Sequence, residues 1–140
     1  MKTVRLNEID ILILWSVPKP GSDLLSLLRS YHLSQRAAIP SYDDLSACFN
    51  RAVQAGLMVF PQADKFALFP DSYQRLHAWD DHYAAGEEGI WEQGQELTER
   101  DWPMVEPREF SPNRKDYDVA VADFERHWQG VLKSVSRWFQ

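Results

Sequence analysis

Apolar residues crowd one short stretch near the start of the chain. Ile9, Ile11, Leu12, Ile13, Leu14 and Trp15 leave little polar face, which predicts a central, buried helix. Asn7 stands where its N-cap belongs, and Asp10, three residues on, supports the first turn. Pro18, Pro20 and Gly21 end it. Ser22 is the next cap position, and Leu24, Leu25, Leu27, Leu28 and Tyr31 repeat at helical spacing before fading between Gln35 and Ala38. Pro40 and Ser41 open a third helix, with Ser41 as its cap and Asp44 at the capping-box position. Leu45, Cys48, Phe49, Ala52 and Val53 form its inward stripe, and Gly56 sits where a left-handed C-cap belongs. Two short apolar runs then flank the polar turn Pro61-Gln62-Ala63-Asp64, which reads as a hairpin. Pro70 and Asp71 begin a fourth helix, predicted to run through about Tyr83.

The pattern changes after that. Gly86, Gly89 and Gly94 interrupt an acidic stretch that predicts a short helix from Ile90 to about Glu99. Pro103, Pro107 and Pro112 make residues 102–112 an extended loop. A last helix is predicted from Asn113 or Arg114 to the end. Its apolar residues Tyr117, Val121, Phe124, Trp128, Leu132, Val135 and Phe139 are spaced 4, 3, 4, 4, 3 and 4 apart. That is one continuous stripe, and it needs a cover, from the N-terminal half or from a second copy of the chain. The fold class predicted is mainly α with a small β-hairpin. Residues 1–83 form the first domain, and residues 84–140 an acidic, Trp-rich extension ending in a long amphipathic helix.

Three helices followed by a hairpin, with Ile39-Pro40-Ser41-Tyr42-Asp43-Asp44-Leu45, Ala55-Gly56-Leu57-Met58 and Lys65-Phe66-Ala67-Leu68-Phe69-Pro70 at the junctions, resembles the winged-helix superfamily over residues 6–82. In members that bind DNA, the third helix enters the major groove and the hairpin touches the backbone. The resemblance then implies an outward face of Tyr42, Asp43, Ser46, Ala47, Asn50, Arg51 and Gln54. Asn50, Arg51 and Gln54 would read base edges, with Gln62 and Lys65 on the wing. The charge departs from that pattern. DNA affinity comes largely from cations on phosphates. Here one Arg faces Asp43 and Asp44, and one Lys lies near Asp64. Nucleic acid is therefore the disfavoured partner, and a DNA-binding regulator dimerised by its last helix is the alternative reading.

Charge asymmetry sharpens this. Residues 1–76 hold eight basic and seven acidic side chains, whereas residues 77–140 hold seven basic and fourteen acidic, within a net charge of −6. The second half repels phosphate and attracts a basic surface. Four of the six tryptophans also lie in residues 84–140, and aromatics dominate binding hot spots. The candidate partner-binding residues are Glu87, Glu88, Trp91, Glu92, Glu96, Glu99, Asp101 and Trp102. A small, acidic, aromatic-rich chain resembles in composition the bacterial immunity proteins that neutralise toxins, many of them basic nucleases. That resemblance implies a protein partner with a basic surface.

At 140 residues, 44% apolar and 13% aromatic, the chain can build a core and is too rich in packing residues for a disordered class. A single cysteine, Cys48, excludes an internal disulfide and suits a cytoplasmic setting. The run Ile9–Val17 is broken by Asp10, has no signal-cleavage site after it, and falls short of the ~20 residues a membrane span needs. Catalysis finds little support. His77, Asp81 and His82 carry no metal-binding signature. Gly86-Glu87-Glu88-Gly89 has the wrong sign for a phosphate loop, and Glu92 with Glu96 reads as a solvated pair rather than an acid and base. The expectation is a non-enzymatic protein-binding protein without cofactor or metal.

Overall fold

The computed structural model describes residues 2–35, 39–62, 65–77, 87–105, 107 and 110–138. They form a mainly helical structure with two small antiparallel sheets and a long last helix. The first helix, α1 (Glu8–Trp15), starts at a complete capping box. Asn7 Oδ1 accepts from the Asp10 N–H at 2.8 Å, and Asp10 Oδ2 accepts from the Asn7 N–H at 3.0 Å. Ile11, Ile13 and Leu14 are fully buried, so α1 is the central helix its sequence predicts. It packs against α2 (Leu24–Gln35), α3 (Tyr42–Gln54) and α5 (Glu87–Glu99).

Helix α2 does not start at Ser22. Asp23 caps it, its Oδ1 accepting from the Ser26 N–H at 2.8 Å. Ser22 is taken instead by the hairpin, as an antiparallel bridge to Phe66 with both backbone hydrogen bonds made, at 2.8 and 2.9 Å. Ser41 caps α3 as predicted, accepting from the Asp44 N–H, and all five residues of the inward stripe are buried. Gly56 ends this region at φ 70°. A Cβ there would lie 2.6 Å from Val105 Cγ2, so the position needs glycine for both its backbone and its neighbour.

The hairpin pairs β2 (Met58–Gln62) with β3 (Lys65–Leu68), with Met58 opposite Leu68 and Gln62 opposite Lys65. Its register slips between Val59 and Gln62, where Pro61 cannot donate to the ladder. Helix α4 (Pro70–Leu76) is shorter than predicted. It ends at His77, and the expected continuation to Tyr83 lies outside the described residues. Helix α5 starts earlier than predicted, at Glu87.

The second half is stitched onto the first. Trp102 and Pro103 form β4, which pairs antiparallel with β1 (Thr3–Val4). Leu97, Trp102 and Tyr117 join the same buried cluster as Leu14, Phe49 and Leu76. The last helix, α6 (Arg114–Trp138), lays its first half on α2. Ala120 and Phe124 pack on Leu28 there, and the Tyr117 hydroxyl donates to the Pro40 carbonyl at 2.7 Å. No helix among the described residues is long and apolar enough to cross a membrane.

Candidate functional site

Two surfaces were expected to carry chemistry: the outer face of α3 and the acidic stretch now seen as α5. On α3, Tyr42, Ser46, Asn50 and Gln54 recur every fourth residue, so they form one stripe. That stripe is covered by the chain's own residues 105 and 110–112, which run antiparallel to the helix. Val105 N–H donates to the Gln54 carbonyl at 2.8 Å, and Phe110 N–H to Asn50 Oδ1 at 2.8 Å. Ser46 Oγ lies 2.9 Å from Ser111 Oγ, and the Tyr42 hydroxyl donates to the Pro112 carbonyl at 2.7 Å. The Phe110 ring completes an aromatic cluster with Phe49 and Phe60.

Arg51 does not point outward as expected. Its Nη1 reaches both carboxylate oxygens of Asp10, at 3.0 and 2.9 Å, and Asp10 is only 1% exposed. A carboxylate removed from water needs a partner cation, and this guanidinium supplies it from 41 residues away. Burial still dominates and raises the Asp10 pKa above its ordinary value, against the Asn7 N–H and Arg51, which lower it. Cys48 lies beside this pair, its thiol 3.7 Å from the Asp10 carbonyl oxygen, and burial pushes its pKa well up. It is an inert core thiol. On the hairpin, Lys65 is exposed, and the side chain of Gln62 lies outside the described residues.

Helix α5 is held from inside. Leu97 is fully buried, and Gln93 Nε2 donates to the Leu76 carbonyl at 3.1 Å. The Trp15 indole N–H donates to the same oxygen at 2.6 Å, so the carbonyl that ends α4 ties α1, α4 and α5 together. Gly94 faces Trp15, and a Cβ there would meet its ring at 3.7 Å, an ordinary contact. The opposite face of α5 is open. Glu92, Gln95 and Glu99 are exposed and Glu96 is half-buried. With Arg100 they line an open depression of about 410 Å³. Arg100 Nε holds Glu96 at 2.9 Å, and its guanidinium lies 5.0 Å from the centre of the Trp102 ring. Gln95 donates to Glu99 at 3.1 Å, and Arg5 pairs with Asp101 at 2.9 Å. Three carboxylates therefore face one guanidinium. Because these pairs are exposed, each contributes little to stability, about 0–1 kcal/mol.

The structure thus brings Glu92, Glu96 and Glu99 together, with Asp101 just beyond. It removes Trp102 from the surface. That residue is 2% exposed, paired in the sheet with Val4 and packed in the core. The expected hot-spot role does not fit a side chain no partner can reach. The side chains of Glu87, Glu88 and Trp91 lie outside the described residues. Gln95 and Arg100 were missed as lining residues. Their spacing of four from Glu99 and from Glu96 was the available signal. Among the described residues, no three of His, Cys, Asp and Glu come together as a metal site, and Asp81 and His82 lie outside them.

Compared with protein-family models, curated proteins and solved structures, the chain gives no significant match.

Proposed function

We propose that this is a non-enzymatic protein-binding protein whose acidic α5 edge docks a basic patch on a partner protein. The observation that carries this reading is the open depression lined by Glu92, Gln95, Glu96, Glu99 and Arg100, on a helix whose inner face is fixed by Leu97 and Gln93. A lysine or arginine of the partner entering it gains carboxylate acceptors, two of which, Glu96 and Glu99, are already held by Arg100 and Gln95, and the surrounding negative charge speeds its approach. A phosphate backbone entering the same edge is repelled. The sharpest form of the reading is an inhibitor of a basic protein, in keeping with the compositional resemblance to immunity proteins. In this reading the winged-helix-like first half acts as a scaffold in a cytoplasmic protein. A DNA-binding regulator gains no support from α3, since its outer stripe is occupied by residues 105 and 110–112 and Arg51 by Asp10.

Affinity capture from native-host lysate, with and without nuclease treatment, tests it, comparing the native chain with Glu92→Lys/Glu99→Lys. One basic protein should be recovered stoichiometrically by the native chain. The charge-reversed variant should retain at least about tenfold less, and added salt should weaken the native complex. Equal capture by both chains would sink the idea. So would recovery of nucleic acid whose accompanying proteins are lost on nuclease treatment.

A further inference from the structure

Helix α6 is two different objects along its length. From Arg114 to Phe124 it buries Tyr117, Ala120 and Phe124. From Glu125 to Trp138 every residue is exposed. Those fourteen residues project for about 21 Å at 1.5 Å per residue. The helix is not polar there. Trp128, Val131, Leu132, Val135 and Trp138 are all exposed, Trp138 at 86%. They continue the stripe that packs on α2, and the junction is visible: His32 of α2 meets the rings of both Phe124 and Trp128, at 5.3 and 4.7 Å. Helix α2 is described to Gln35, and no described residue covers the rest.

Isolated, this segment is a poor helix. Gly130 stands mid-helix with nothing within 4 Å of where its Cβ would be, and Val131 and Val135 are β-branched. Packing on a partner would stabilise it, since most helical stability comes from burial of an apolar face. The order of its apolar residues says which partner. Trp128, Val131, Val135 and Trp138 are spaced 3, 4 and 3 apart and read the same in both directions. An antiparallel two-fold pairing sets each position against its mirror position, so this spacing brings the apolar residues of one copy onto those of the other. In an antiparallel pair, Trp128 of one copy lies opposite Trp138 of the other and Val131 opposite Val135. Leu132 flanks the centre and fills the space the valines leave. The cations of this segment do not obstruct the pairing. Arg126, Lys133 and Arg137 all lie on the opposite side of the helix from the stripe. The area is sufficient as well. Trp138 is 86% exposed and Trp128 36%, and complete cover of these two and the three aliphatic residues in both copies removes at most roughly 1,000 Å² from water, the lower edge of specific interfaces.

We infer that the exposed half of α6 docks on the same segment of a second copy, in an antiparallel two-fold pair. This is independent of the α5 edge, and the pair would carry two such edges. The test is sedimentation equilibrium of the full chain from micromolar to sub-millimolar concentration, beside Val131→Glu/Val135→Glu, whose changes fall on exposed positions. The native chain should pass from monomer to dimer mass, and the variant should stay monomeric with unchanged near-ultraviolet circular dichroism. Spin labels on Ser134→Cys and Arg126→Cys, with buried Cys48 left unlabelled, read the direction. In the antiparallel pair the Arg126 positions lie about 20 Å apart along the axis and the Ser134 positions nearly level. A native chain that stays monomeric throughout, a variant that dimerises equally well, or the same label separation at both positions would overturn the inference.

Discussion

Asp10 carries two roles on one carboxylate. One oxygen closes the capping box of α1, and both oxygens accept from Arg51 of α3. Arg51→Ala leaves that buried charge without its cation. Losing one partner of a buried pair costs about 3–5 kcal/mol, and because Arg51 is about one-third exposed the expected loss is about 2–3 kcal/mol. Urea unfolding should show that loss in Arg51→Ala and its partial recovery in Arg51→Ala/Asp10→Asn. The pH dependence has a definite sign. Burial raises the Asp10 pKa above 3.8, so the folded chain keeps this proton to higher pH than the unfolded chain. The stabilisation from that proton is complete below 3.8 and is lost as pH rises through the folded value. Carboxyl-carbon titration should place Asp10 above 3.8, and Asp10→Asn should remove its part of the slope in stability over that window.

Elements in this protein are held by crossings more than by ladders. The two-residue strand β4 would be negligible alone, yet it carries Trp102 into the core and delivers residues 105 and 110–112 to the face of α3. Truncating Trp102 therefore acts on the fold and not on a docking surface. Trp102→Ala should lower stability by about 3–5 kcal/mol through the cavity it leaves. Thermal unfolding would show this as a large drop in Tm. A wild-type Tm combined with lost partner binding would contradict the placement. The same paths explain what was legible. The α3 stripe Leu45, Cys48, Phe49, Ala52 and Val53 followed from period 3.6 alone, because one helix face meets one core. Ser22 as a cap did not hold. Asp23 offered an equally good cap oxygen, and the hairpin needed the Ser22 backbone.

At the scale of the whole molecule, the two proposed surfaces lie on different elements and face solvent separately. The acidic edge belongs to α5, and the apolar segment belongs to the far half of α6. Their effects should add without interaction. Glu92→Lys/Glu99→Lys should leave the dimer mass unchanged in sedimentation, and Val131→Glu/Val135→Glu should leave the monomer's affinity for a basic partner unchanged. A coupling between the two pairs larger than about 0.5 kcal/mol would show that one interface serves both.

Whatever depends on neighbours along the chain was determined by the sequence itself: the caps at Asn7 and Ser41, the left-handed Gly56, the hairpin and the long amphipathic α6. So was the acidic sign of the second half, since charge adds up without a fold. The tertiary structure decided which polar side chains face inward and which apolar ones face outward. Arg51 reads as solvated until Asp10 arrives from α1, and Trp102 reads as exposed until β1 pairs with β4. The α6 stripe reads as uniform until its first half alone is buried against α2. In each case the deciding partner lies far along the chain. Periodicity reports only that a residue's face must be covered, and distant contacts decide by what.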